Sequence, residues 1–203
     1  MIRHLGVLTR ADVRQLARLH QAAFPGFFLS NLGQPFLVQF YRGFLADQTA
    51  VTVVARGADG TVQGAAVGTT EPAAFFRRLM KSRWLGFVLA SAGAVLRNPK
   101  AVPRLLRVVR HGGDVPAAAE GALLSSICVD PSLQAAGVGR QLLDAWTHEV
   151  ASRGVHAAFL TTDADDNDLV NRFYRKRGWV LSERYDTREG RSMNCYAVEL
   201  AAP

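Results

Sequence analysis

The chain has 203 residues, 49% of them apolar and 20% charged, with a formal net charge of +7. That length suits one domain with a full core, and that apolar content excludes a chain that is disordered throughout. Cys128 and Cys195 are the only cysteines and both fall on apolar strand patterns, which favours buried thiols in a reducing compartment over a disulfide framework.

The basic balance points to anionic ligands or surfaces and does not by itself specify nucleic acid. No zinc-finger or aromatic-rich basic RNA motif is present, so no nucleic-acid partner is expected. The opening Met1-Ile2-Arg3-His4 has no long apolar run behind it, and no secretory leader is read there. The expected location is cytoplasmic.

Ile2 to Leu8 reads as a short strand. Thr9-Arg10-Ala11-Asp12 resembles a capping box, and Val13, Leu16, Ala17, His20 and Ala23 follow at helical spacing. His20 is either an acid/base group or, more commonly for such a position, a packed histidine. Phe24 to Leu29 is an apolar loop broken by Pro25 and Gly26, which either lines an acceptor pocket or folds onto the core. Gln34-Pro35 opens a second helix with a broad apolar face of Phe36, Leu37, Phe40, Tyr41, Phe44 and Leu45. Val51–Ala55 and Val62–Thr69 then form a hairpin through Gly57-Ala58-Asp59-Gly60.

Residues 72–114 form a long basic insertion, far beyond an ordinary connection. Between Glu71 and Asp114 there is no acid, and there are nine basic residues. Trp84–Leu96 is largely apolar but shorter than the roughly 20 residues a bilayer span needs. The expectation is two or three helices covering one edge of a sheet. Three roles stay open for them: a packing lid with solvated arginines, a site for an anionic acceptor, or a peripheral contact with an anionic membrane.

Leu123–Val129 reads as an apolar strand, stopped by Asp130-Pro131. A glycine-rich turn follows, Gln134-Ala135-Ala136-Gly137-Val138-Gly139. The helix after it carries Val138, Leu142, Leu143, Trp146 and Val150 on one stripe and stops near Gly154. Ala157–Thr162 is the next strand. Two strands joined through a helix make a right-handed parallel crossover, so the turn opens at the carboxyl edge of a sheet, where ligands collect. Glycine admits a ligand close to the backbone, and the free amides of a helix start attract anions. Arg140 adds a full charge. Position 142 is Leu, which argues against a dinucleotide fingerprint, and the phosphate-loop lysine is missing.

Asp163-Ala164-Asp165-Asp166-Asn167-Asp168 looks like a calcium loop but has Asp168 where glycine is required and Tyr174 where the last acid belongs, so no metal is expected. It reads instead as charge at a helix start. Asn167 and Asn171 share a face of that helix, and Gly178 closes it. Trp179–Tyr185 and Met193–Leu200 make a closing hairpin.

Two ordered motifs within one crossover carry a family resemblance. Val129-Asp130-Pro131 followed by Gln134-x-x-Gly137-x-Gly139 resembles the acetyl-CoA signature of the GNAT acetyltransferases. Asn167, Asn171, Phe173-Tyr174 and Gly178-Trp179 resemble that family's second signature. The likeness is close in the carboxyl half, follows the order of elements over the first seventy residues, and does not reach 72–114.

The resemblance implies an α/β fold with a mixed, mostly antiparallel sheet, a central parallel strand pair, helices on both faces and a helical insertion, all in one domain over 1–203. It implies an N-acetyltransferase acting on a small-molecule amine, with an amino sugar or nucleotide-linked sugar suggested by the basic insertion, as a monomer or homodimer. Acetyl-CoA as cosubstrate would lie on Cys128, Val129, Gln134, Ala135, Ala136, Gly137, Val138, Gly139 and Arg140, with Asn167, Asn171 and Phe173 beside it. Tyr174 would be the general acid. Relatives often carry a glutamate base on the central strand; here Ala122, Leu123 and Leu124 stand there, and Glu120 is the nearest carboxylate. A fold that kept CoA binding without chemistry, and transfer to a protein or an antibiotic, are the alternatives.

Overall fold

A computed structural model describes residues 4–97, 120–133, 136–187 and 190–201, with backbone alone at Phe28 and 92–97. The second half of the insertion, Gln134 and Ala135 lie outside the described residues.

In chain order the elements are β1 (His4–Gly6), α1 (Asp12–Ala23), α2 (Phe28–Asn31), α3 (Gln34–Ala46), β2 (Ala50–Arg56), β3 (Val62–Thr69) and α4 (Pro72–Arg97). There follow β4 (Ala122–Val129), a 3-10 turn (Pro131–Leu133), α5 (Val138–Ser152), β5 (Ala157–Asp163), α6 (Asp168–Arg175), β6 (Val180–Asp186) and β7 (Ser192–Glu199). The seven strands form one sheet in the order β1-β2-β3-β4-β5-β7-β6. Every neighbouring pair is antiparallel except β4 with β5.

Helices cover both faces because the strands alternate. Val54, Ala65, Val67 and Cys128 point to α1, α3 and α4, where they meet Leu16, Leu37, Tyr41 and Phe75. Val51, Val53, Ala55, Ala66 and Leu124 point the other way, to Leu142, Leu143, Trp146 and Val150 of α5. At the start of α1 the Asp12 carboxylate accepts from the Thr9 amide (2.8 Å) and hydroxyl (2.6 Å), as the capping pattern predicts, and also pairs with Arg56.

The insertion departs from expectation. The number of helices expected over 72–114 falls partly outside the described residues, and residues 72–97 form one 26-residue helix that runs through Gly86 and Ser91. It packs on α3 through Phe75, Leu79 and Phe87, and its Phe76 reaches Leu123, Phe159 and Cys195 on the sheet. It therefore covers a face of the sheet, not an edge.

A bulge in β4 decides what the centre of the sheet presents. Val67 pairs with Ser126 and Gly68 with Leu124, leaving Ser125 as the extra residue. Parity flips there: Leu124 before the bulge and Ile127 and Val129 after it all face α5, while Cys128 faces α1 and α3. Gly68 makes this fit. A Cβ on it would stand 2.2 Å from the Leu123 carbonyl oxygen and 2.4 Å from the Trp146 ring, so only glycine lets the ring lie against β3.

Candidate active site

The site begins as a gap. β4 pairs with β5 at Ala122–Ala158 and Leu123–Phe159 and, among the described residues, nowhere beyond. From there the strands part. The far edge of β4 is held by β3 and the far edge of β5 by β7, so the facing edges are left without ladder partners inside the sheet. The Asp130 amide donates to Gln63 O on the β3 side at 2.9 Å. By strand alternation the amides of Val129 and Ile127 face the gap.

The glycine turn sits at the open end. Asp130 ends β4: its carboxylate accepts from the Ser132 amide (2.9 Å) and hydroxyl (2.6 Å), which folds Pro131–Leu133 back. Gly137 then takes φ +79° as the N-cap of α5, a conformation that disfavours any side chain. Among the described residues no side chain caps this helix, and its first amides are donors at the positive end of the dipole without a partner there. A Cβ on Gly139 would lie 3.7 Å from Val129 and 3.9 Å from Phe173, in ordinary contact with both. Thus Val129, Gly139 and Phe173, from three separate elements, converge beside the turn. Arg140 is mostly exposed and bound only loosely to Asp144, at 3.4 Å, so its charge is available to an anion. This backbone cradle fits a diphosphate.

Tyr174 follows Phe173 on α6, packed among Phe173, Trp179 and Tyr196 with ring centroids 5.2, 5.9 and 5.9 Å away. It is 5% exposed, and no described residue hydrogen-bonds its hydroxyl. Burial pushes that hydroxyl well above its ordinary pKa, so it keeps its proton throughout the working range.

Asn171 and Asn167 both brace the frame of the gap through their side chains. Asn171 is 4% exposed. Its amide nitrogen donates to Asp163 O (3.0 Å) and Asn167 O (2.9 Å), and its oxygen accepts from the Asn194 amide (2.9 Å) and the Tyr196 hydroxyl (3.0 Å). Both ends are committed inward. The Asn167 amide nitrogen donates to Thr162 Oγ1 (2.9 Å) and Asp163 O (3.1 Å), bracing the end of β5.

Glu120 stands apart from the open part of the gap. It is exposed, precedes Gly121 and lies at the closed end of the strand pair. At about 3.3 Å per residue it stands roughly 16 Å from the bulge, too far to accept a proton there. The Cys128 thiol is buried among α1 and α3 residues and pushed up to about 12 by that burial, so its side chain is no part of the gap. Both cysteines are free.

His20 is a core residue. Its Nδ1 lies 2.7 Å from the Tyr41 hydroxyl, and burial lowers its pKa to about 4. The Phe24 loop divides between its two readings: Phe24 packs on the core, whereas Phe27 is 43% exposed and stacks under Arg191 at 5.5 Å. Sequence reasoning missed Arg191, which bonds Asp163 at the end of β5 through Nε and Nη2. Among the described residues no cluster of metal-ligating side chains occurs.

The comparisons agree with this geometry. A model of the "Acetyltransferase (GNAT) family" matches residues 14–179. No curated protein matches in sequence. Solved structures that resemble it include SsHAT, with TM-score 0.70, 19% identity and 98% of each chain covered. The ribosomal-protein-S18-alanine N-acetyltransferase of Escherichia coli gives 0.59 and 16%, over 98% of this chain and 95% of that one. The spermidine/spermine N-acetyltransferase SpeG of Vibrio cholerae gives 0.56 and 13%, over 97% and 94%. Identities this low carry the fold alone, and the parted strands, the glycine-started helix and the match over most of the chain together place this protein in the GNAT family of N-acetyltransferases.

Proposed function

We propose that the protein transfers an acetyl group from acetyl-CoA to the primary amine of a small molecule by direct attack. The observation that carries this is the gap between β4 and β5, opening onto an uncapped helix start beside Phe173 and Tyr174. The amides following Gly137, with Arg140, hold the diphosphate. Pantetheine amides pair with the free edge of β4 as an added strand would. The thioester carbonyl lies against an N–H of β4 that faces the gap, at Val129 or Ile127, and that N–H stabilises the oxyanion.

The acceptor nitrogen forms a bond to the carbonyl carbon, and the carbon–sulfur bond breaks. Tyr174 gives its proton to the leaving sulfur and regains one from solvent. Its raised pKa makes it a weak acid that is always loaded, which suits transfer concerted with bond cleavage. No described carboxylate stands on β4 near the bulge, so the amine reacts as its free base and its proton leaves to water.

An amino-sugar acceptor was suggested by the basic insertion, but Arg78 is committed to Asp47 at 2.7 and 2.9 Å and Arg77 and Lys81 are exposed. The acceptor class therefore rests on the amine chemistry alone. Titration calorimetry with acetyl-CoA, followed by thiol release across a panel of amino sugars, polyamines, aminoglycosides and peptide amino termini, tests the reading. Submillimolar binding with release on a small amine is expected. Binding without release on any amine would favour a CoA-binding module, and release only with peptides would move the acceptor to protein.

A further inference from the structure

Helix α4 has two unlike faces. Phe75, Leu79, Phe87 and Ser91 are buried against α3 and the core. The opposite face turns Trp84, Leu85, Val88 and Leu89 outward, at 54, 56, 57 and 76% exposure. Four large apolar side chains at i, i+1, i+4 and i+5 make one continuous patch, and monomer surfaces seldom leave such a patch without a use. At about 100° per residue, Arg77, Lys81, Trp84 and Val88 fall within roughly 60° of one another round the axis, with Leu85 and Leu89 alongside. Arg77 and Lys81 are exposed. The helix itself contains no acid.

The occupant must accept both features. A second copy of the face would cover the apolar patch but set cation against cation with no counter-charge on either helix. A nucleic acid would neutralise the cations and leave four apolar side chains in water. An anionic lipid surface takes both, the cations at the headgroups and the apolar side chains at the acyl boundary. No described helix is long and apolar enough to cross a membrane, so α4 would lie along the surface.

We infer that the exposed face of α4, centred on Trp84, Leu85, Val88 and Leu89 with Arg77 and Lys81 beside it, docks the protein on an anionic membrane surface. This does not depend on the acyl-transfer reading. Trp84 reports on it directly, because Trp146 and Trp179 are buried at 0 and 3% exposure.

The test is co-sedimentation of the full chain with phosphatidylcholine vesicles, with and without about a quarter phosphatidylglycerol, while tryptophan emission is followed. Partition at least tenfold stronger on the anionic vesicles, a blue shift, and weakening in high salt are expected. Leu85→Gln with Leu89→Gln should cut partition about tenfold or more, and Arg77→Gln with Lys81→Gln by a similar factor while flattening the salt dependence. All four positions are exposed, and thermal melts identify any variant that fails to fold; the wild-type partition decides even then. No preference for anionic vesicles overturns the proposal, as does binding that both variants retain. A dimer dissolved by the leucine variant, without vesicle binding, assigns the face to a second copy; retention on duplex DNA but not on vesicles assigns it to phosphate alone. Either overturns it.

Discussion

Replacing Tyr174 with Phe separates chemistry from packing, because the structure isolates the hydroxyl. The ring is held by Phe173, Trp179 and Tyr196, and phenylalanine keeps those contacts. No described residue hydrogen-bonds the hydroxyl, so its loss removes no bond to them. Stability should therefore stay within about 1 kcal/mol, or roughly 2–4 °C in Tm. A positioned general acid contributes about 10²–10⁴ in rate, which is ~3–5 kcal/mol of barrier. Thiol release at saturating acetyl-CoA with the best amine from the panel should fall at least about a hundredfold. The Kd for acetyl-CoA by calorimetry should move by less than about twofold, since the proposed seat of the diphosphate is the amides of α5. Turnover within about threefold of wild type would refute the acid role. A collapse of Tm would instead show that the hydroxyl holds the fold.

Other expectations follow from particular groups. Asn171→Leu strands the Asn194 amide, the Tyr196 hydroxyl and two carbonyls at once, so stability should fall by about 3 kcal/mol in a urea melt; a loss under about 1 kcal/mol would mean water replaces the network. Gly137→Ala places a Cβ at φ +79°, a strain of about 1–2 kcal/mol, and acetyl-CoA should bind about fivefold to thirtyfold more weakly; unchanged affinity would move the diphosphate off this turn. Burial lowers the His20 pKa from 6.5 to about 4, so the unfolded chain binds the proton more readily. The stability this represents is complete above pH 6.5 and is lost as pH falls toward 4, about 2 kcal/mol of it by pH 5. Melts of wild type and His20→Phe at pH 7 and pH 5 should show the fall in the former only. Finally, without a carboxylate base, kcat/KM for a simple amine should rise with pH along the acceptor's own ionisation. An inflection fixed near pH 6–7 for amines of different basicity would reveal an enzyme base.

What the sequence disclosed was whatever is local. The crossover, the glycine turn and the hairpins follow from spacing and from Gly, Pro and Asp chemistry, and each is present. What it hid depends on partners far along the chain. β4 holds no glycine or proline to announce its bulge. The bulge lies opposite Gly68 and Trp146, and Trp146 in turn donates its indole N–H to Val51 O at 3.1 Å. Gly86 and Ser91 are poor helix formers by type, yet α4 runs through both, with Phe87 between them packed on Phe36 of α3 at 4.8 Å. The four-residue spacing of Asn167 and Asn171 placed them on one face without saying whether it looks in or out. Asn194 and Tyr196, more than twenty residues on, decide that. Glu120 was attractive as the nearest carboxylate, and register put it at the wrong end of the strand.

The gap itself needs an explanation, since unpaired strand edges inside a sheet are costly. Two separate anchors account for it. On the β4 side, the bulge at Ser125 turns the strand, and β3 follows it as far as Val129, so β4 is committed to β3 over its whole length. On the β5 side, Asn171 donates to the Asp163 carbonyl and Arg191 grips the Asp163 carboxylate, while β7 pairs every residue from Ala157 to Asp163. Each strand is thus better bonded away from its neighbour than toward it. The second signature of the family therefore has a mechanical part in this chain. Asn171 stands in the motif, and its side-chain bonds fasten β5 to α6 and β7. Closing the gap would break the Asn171 and Arg191 contacts together, and for that reason a ligand with its own peptide-like amides is the occupant that satisfies the free edges without disturbing either anchor.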